Sequence, residues 1–108
     1  MNIEVSEKAD HQAVISVQGR LDASNAEDLR EKLKALVQKG FTRLVLDMAE
    51  VQYIDSSGLG ALVSGLKTAR TENGDLFLAN IGPQTKVALA LTRLDKVFRT
   101  SDNVVSST

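Results

Sequence analysis

The chain has 108 residues, 43% hydrophobic and 25% charged, with no cysteine; that is the balance of one globular domain able to bury a core without covalent staples, and it excludes disulfides and thiolate metal or redox sites. Thirteen basic residues against fourteen acidic ones leave a net charge of -1, so nucleic-acid binding lacks its electrostatic footprint. Aromatics make up 4% with no tryptophan, no apolar run approaches the roughly 20 residues of a membrane span, and Met1-Asn2-Ile3-Glu4 does not start a signal peptide, so a cytoplasmic chain without a membrane or nucleic-acid partner is expected.

Ile3 and Val5 alternate with Asn2 and Glu4, as in a short edge strand. Ser6 to Gln12 is polar and reads as a turn, and Ala13 to Gln18 as the second strand of a hairpin. A helix is expected from Ser24, which stands three residues before Glu27 at the spacing of a capping box. Ala26, Leu29, Leu33, Leu36 and Val37 then share one face, Asp28 and Lys32 can pair on the other, and Gly40 fits the left-handed stop. Leu44-Val45-Leu46 is a continuous apolar run, as in a strand covered on both faces, and Asp47 closes it. Val51, Tyr53 and Ile54 lead to Asp55-Ser56-Ser57-Gly58 and a second helix, whose Leu59, Leu62, Val63 and Leu66 face the core and which Gly74 stops. Leu76 to Ala79 reads as a buried strand. Gly82-Pro83 opens a third helix with Val87, Leu91 and Leu94 on its core side, and Val97-Phe98 is a last short strand or a packing plug.

The order β-β-α-β-α-β-α, with a further β at the end, predicts a single α/β domain over residues 1–100: a mixed, mostly parallel sheet of four to five strands flanked by helices. Residues 101–108 form a polar tail.

The segment Asp55-Ser56-Ser57-Gly58-Leu59-Gly60 carries the chemistry. It sits where the free N–H groups and the dipole of a helix start accept negative charge, including a phosphate. An aspartate or serine there also serves as an ordinary N-cap. One cap residue suffices, however, and here three small polar residues stand in a row. Gly58 and Gly60 weaken the helix start by up to about 1 kcal/mol each relative to alanine, and they leave room for a partner's backbone.

Tyr53-Ile54-Asp55-Ser56-Ser57-Gly58-Leu59-Gly60 resembles the signature of the STAS family, in particular its bacterial anti-sigma-factor antagonists. Gly19-Arg20-Leu21-Asp22-Ala23, Leu44-Val45-Leu46-Asp47, Ile81-Gly82-Pro83 with Val87, and Leu94-Asp95-Lys96-Val97-Phe98 resemble further family segments, in order and across nearly the whole chain. The resemblance implies phosphorylation at Ser57, with Ser56 as the alternative. It implies a partner surface of Asp22, Asp55, Ser56, Gly58, Leu59 and Gly60, in which Asp22 and Asp55 shape recognition by a kinase or serve as caps and surface charge. The implied partners are an anti-sigma factor that is also a serine kinase and a metal-dependent serine phosphatase. The kinase supplies base, ATP and magnesium, so the chain itself needs no cofactor or metal and is no enzyme. A STAS module acting as a scaffold in another signalling complex is the alternative. The length and the lack of membrane segments argue against the tail of an anion transporter.

Three enzymatic or phosphoacceptor readings fit less well. A serine hydrolase needs a base, and the only histidine, His11, stands beside Asp10 in the hairpin turn; Ile54-Asp55-Ser56-Ser57-Gly58 also lacks the leading glycine of a nucleophile elbow. A dinucleotide fingerprint at Gly58-Leu59-Gly60 has Val63 where its third glycine belongs, and no Gly-Lys-Ser/Thr loop occurs. An aspartyl-phosphate receiver with Asp47 as acceptor wants an acidic pair after its first strand, where Ile3-Glu4-Val5 runs into a polar turn instead.

Overall fold

The computed structural model describes residues 2–101. Strands β1 (Asn2–Glu7) and β2 (Gln12–Leu21) form the expected hairpin, turned through Asp10 and His11 at φ 60° and 62°. Helix α1 (Ala26–Gln38), strand β3 (Arg43–Ile54), helix α2 (Ser56–Thr71), strand β4 (Asp75–Ala79) and helix α3 (Pro83–Leu91) follow; a 3₁₀ turn (Leu94–Lys96) leads to β5 (Arg99–Ser101). The five strands lie in sequence order; β1 pairs antiparallel with β2 and every other pair is parallel. This is the mixed, mostly parallel sheet anticipated. Of the polar tail, Ser101 ends β5 and the rest lies outside the described residues.

Alternation along the strands builds the core. Ala13, Ile15 and Val17 of β2, Leu44 and Leu46 of β3, and Leu76 and Leu78 of β4 share a cluster with Leu29 and Leu33 of α1 and Leu62 and Leu66 of α2. Each fully buried leucine contributes about 1.5–3 kcal/mol. Val14, Val45 and Ala79, with Phe77, form a smaller cluster from the alternate strand positions. All five apolar residues expected on the inner face of α1 are buried. Gly40 takes φ +101° and closes a Schellman stop, with Phe41 N–H donating to Leu36 C=O. Helices α1 and α2 pack side by side: Arg30 lies against Gly60, and Leu33 so near Gly65 that a Cβ there would stand 2.5 Å from its Cδ1.

Several expectations are corrected. Asp47 does not close β3. Its Oδ1 accepts from Ala49 N–H and Asn80 Nδ2, which satisfies an irregular stretch while the strand runs on through buried Met48, Val51 and Ile54. Beyond Asp47 only β2 pairs with β3, with register shifts between Ser16 and Gln18 and between Gly19 and Arg20; Gly19 takes φ +99° there. Ser24 does not cap α1: the helix begins at Ala26 after Asn25, and no side chain caps it. The Asp22 carboxylate, a stronger acceptor, takes both the Ser24 N–H (3.0 Å) and its hydroxyl (2.6 Å). On α1 the ion pair is Arg30–Glu27, not Asp28–Lys32. The left-handed residue after α2 is Asn73, at φ 65°; Gly74 is needed because a Cβ would lie 1.9 Å from Thr42 C=O. Val63 is only partly buried, while Gly65 and Ala69 complete the inner face of α2.

On α3 the buried residues are Thr85 and Leu89, whereas Val87 is 57% and Leu91 81% exposed. Leu94 is half-buried against the core from the 3₁₀ turn. Its second half, Val87 to Leu91, is apolar all round, so periodicity does not choose its inner face. Its orientation is set instead at its start, where Gln84 Oε1 accepts from Ile54 N–H (2.9 Å) and Gln84 Nε2 donates to Ile54 C=O (3.0 Å). Of the two readings of Val97-Phe98, Phe98 is the buried plug and the strand begins one residue later.

Candidate functional site

The register of β2 on β3 makes the site. Leu21 pairs with Ile54, so Asp22 and Asp55 leave the sheet side by side, joined by Asp55 N–H donating to Leu21 C=O (3.2 Å). Asp55 is extended, at φ -115° and ψ -172°, and N-caps α2: its Oδ1 accepts from Gly58 N–H at 3.0 Å. That bond occupies the third helical position. The N–H groups of Ser56 and Ser57, at the first two, have no intrahelical acceptor.

Ser56 is exposed and Ser57 half-buried at the surface. Neither hydroxyl is spent on capping or makes a hydrogen bond among the described residues. Gly58 is buried: a Cβ there would stand 2.6 Å from Leu21 C=O and 2.7 Å from Ile54 Cγ1, so its missing side chain makes room for the end of β2, within the domain. Leu59 is 8% exposed and belongs to the core. Gly60 is half-buried beside Arg30.

Asp22 is partly exposed beside this turn. The Ser24 hydroxyl and the Ser24 N–H hold its carboxyl below the usual carboxylate range against an opposing effect of burial, with lesser help from the Arg20 guanidinium at 3.6 Å. Asp22 N–H donates to Asn25 Oδ1, and Asn25 Nδ2 donates to Arg20 C=O. Arg20 also stacks over the Tyr53 ring, 4.3 Å from its centroid. The result is a small crest at one end of the sheet: two carboxylates, two free hydroxyls and an arginine–tyrosine stack. Sequence reasoning missed Asn25, Gln84 and Arg30. Gln84 and Arg30 meet residues 30 positions away, and Asn25 ties a turn through bonds three and five residues back; periodicity registers neither.

This geometry does not build the rival sites. His11 sits at the opposite end of the ten-residue β2, roughly 30 Å from Asp22 at 3.3 Å per residue, where its Nδ1 meets Gly40 C=O. No histidine base reaches either serine. Gly58 and Gly60 lie inside α2, not in a loop that could cradle a dinucleotide. Asp47 is engaged by Ala49 of its own strand and by Asn80 just after β4. Among the described residues, no group of His, Asp or Glu is placed to hold a metal ion, and no helix is long and apolar enough to cross a membrane.

A mixed, mostly parallel sheet in sequence order, with an acidic and serine-bearing helix start at its crest, defines a class of small α/β domains. The chain belongs to the STAS domain family, whose profile matches residues 2–107. It is 32% identical over 92 residues to BtrV of Bordetella bronchiseptica, covering 85% of this chain and 79% of that one. It is 31% identical over 99 residues to the anti-sigma-B factor antagonist of Bacillus subtilis, covering 91% and 90%. The crystal structure of an anti-sigma factor antagonist from Mycobacterium paratuberculosis superposes with a TM-score of 0.82 at 30% identity, over 95% of this chain and 86% of that one.

Proposed function

We propose that this chain is an anti-sigma factor antagonist: in its unmodified state it binds an anti-sigma factor that is also a serine kinase and so frees a sigma factor, and phosphorylation of Ser57 ends that binding. The observation that carries this reading is the free hydroxyl of Ser57 at an accessible helix start whose cap is supplied by Asp55. The names borne by the relatives point the same way.

The chain does not activate its own serine, because a bare hydroxyl is a weak nucleophile without a base and His11 is far away. The kinase's base takes the hydroxyl proton as Ser57 Oγ bonds to the γ-phosphorus of ATP and ADP departs. Asp22, Ser56, Ser57 and Gly60 make the contact surface; Asp55, Gly58 and Leu59 shape it from below. A phosphoserine brings about -1.5 to -2 charge to a crest that already carries two aspartates. Forced into a packed interface, a charge without a partner costs roughly 2–5 kcal/mol, a loss of very roughly 30- to 4,000-fold in affinity. A metal-dependent serine phosphatase restores the hydroxyl.

The test is a pull-down from native lysate with and without ATP, followed by mapping of phosphate on the recovered chain. Wild type and Ser57→Ala should retain an ATPase partner, Ser57→Ala should persist on it when ATP is added, and Ser57→Asp should lose it by at least tenfold. Equal retention of Ser57→Asp and wild type would refute the charge mechanism. Retention of other signalling proteins in place of a kinase would favour the scaffold reading.

A further inference from the structure

Arg30 is held beside the start of α2 with little to bind. Its Nη2 lies 3.4 Å from where a Cβ on Gly60 would stand. Its Nε is buried and has no hydrogen-bond partner among the described residues. Its ionic neighbour is Glu27 of its own helix, whose carboxylate stands off at 3.8 Å and is largely exposed. A buried donor without an acceptor is costly, and the side chain, 41% exposed, is free to turn its other donors toward a new one. Gly60 follows Ser57 by three residues, so the two positions are neighbours on one helix face, about 5–6 Å apart at Cβ. The other charged groups nearby are engaged: Asp22 with Ser24 and Arg20, Asp55 with Gly58 N–H.

We propose that Arg30 is an intramolecular receptor for the phosphate of phosphorylated Ser57. The inference rests on the phosphorylation proposed above and adds what the domain does with the modified side chain. The dianion draws the guanidinium from Glu27 and meets its planar fork of donors, a geometry suited to phosphate oxygens. The phosphoserine is thereby folded onto its own domain in one orientation.

The test uses the full chain with phosphoserine installed at position 57 during translation, which requires no kinase, and follows its phosphorus resonance against pH. A free phosphoserine loses its second proton near pH 6. With Arg30 engaged, that midpoint should fall by about half a unit or more, as a nearby opposite charge favours the charged form. Arg30→Gln should return it to the free value, Arg30→Lys should sit between, and Glu27→Gln should lower it further. Coincident titrations of the wild-type and Arg30→Gln phosphoproteins would overturn the receptor. Should Arg30→Gln not fold, the wild-type phosphoprotein decides alone: a midpoint no lower than that of a free phosphoserine overturns the receptor equally. An absence of Ser57 phosphate in cells would strike the function proposed above, whereas coincident titrations strike only the role of Arg30.

Discussion

The starts of α1 and α2 are built on adjacent, register-matched strands, and they treat their serines in opposite ways. After β2, the chain spends its polar groups on itself: Asp22 takes both donors of Ser24, and Asn25 ties Asp22 N–H to Arg20 C=O. After β3, a single carboxylate, that of Asp55, caps the helix through Gly58 N–H, and the hydroxyls of Ser56 and Ser57 stay free. The same residue types thus give a closed turn in one place and, in the other, a turn whose described hydroxyls are left without a bond. What separates them is where the aspartate stands. At the N-cap it relieves the serines that follow; four residues before the helix begins, it captures one.

The sharpest way to break this contrast is Gly58→Ala. Its Cβ would lie 2.6 Å from a backbone oxygen that cannot move freely, so a loss of about 1–3 kcal/mol is expected, seen as a fall in melting temperature of about 4–8 °C per kcal/mol. A melting temperature within a degree of wild type would show that the α2 start is looser than described. Next comes the cap itself. Asp55→Ala should cost about 1 kcal/mol and Ser24→Ala no more than about 0.5 kcal/mol, measured by urea unfolding. Equal losses would mean that Ser24 caps α1 after all. The smallest effect concerns acid. The carboxyl of Asp22 titrates below its ordinary value of 3.8 in the folded chain, so its contribution to stability is present above that pH and is lost as pH falls through the folded value. Asp22→Asn should therefore be less stable than wild type near neutrality, with the difference closing on acidification below 3.8. A gap that persists in acid would remove the carboxylate as its cause.

Where one pattern dominates, the fold can be read from sequence. The inner face of α1 follows from a strong 3.6-residue period, and β4 from a short apolar run between turn residues. The length of β3 does not, because Asp47 resembles a strand end unless its bonds to Ala49 and Asn80 are known. Nor does the face of α3, where Val87, Leu89 and Leu91 are equally apolar and a glutamine bonded 30 residues away makes the choice. At the crest, Asp55-Ser56-Ser57-Gly58 stands out by composition and by family resemblance. The reason for Gly58 was less accessible: a glycine that admits a partner and one that admits the protein's own β2 look alike until the neighbouring strand is placed.

The paired bonds from Gln84 to Ile54 have a further consequence. Strand β4 ends opposite Asp47, which leaves the outer side of β3 beyond that point without a neighbouring strand. Such an unpaired edge is a template on which another chain could add itself. Gln84 offers its side-chain amide as a one-residue substitute for the missing strand, satisfying both Ile54 N–H and Ile54 C=O, and Pro83 just before it has no N–H with which to extend a ladder. The residue that orients α3 thus also blunts an edge on which a second copy could add itself, one position ahead of the Asp55 turn.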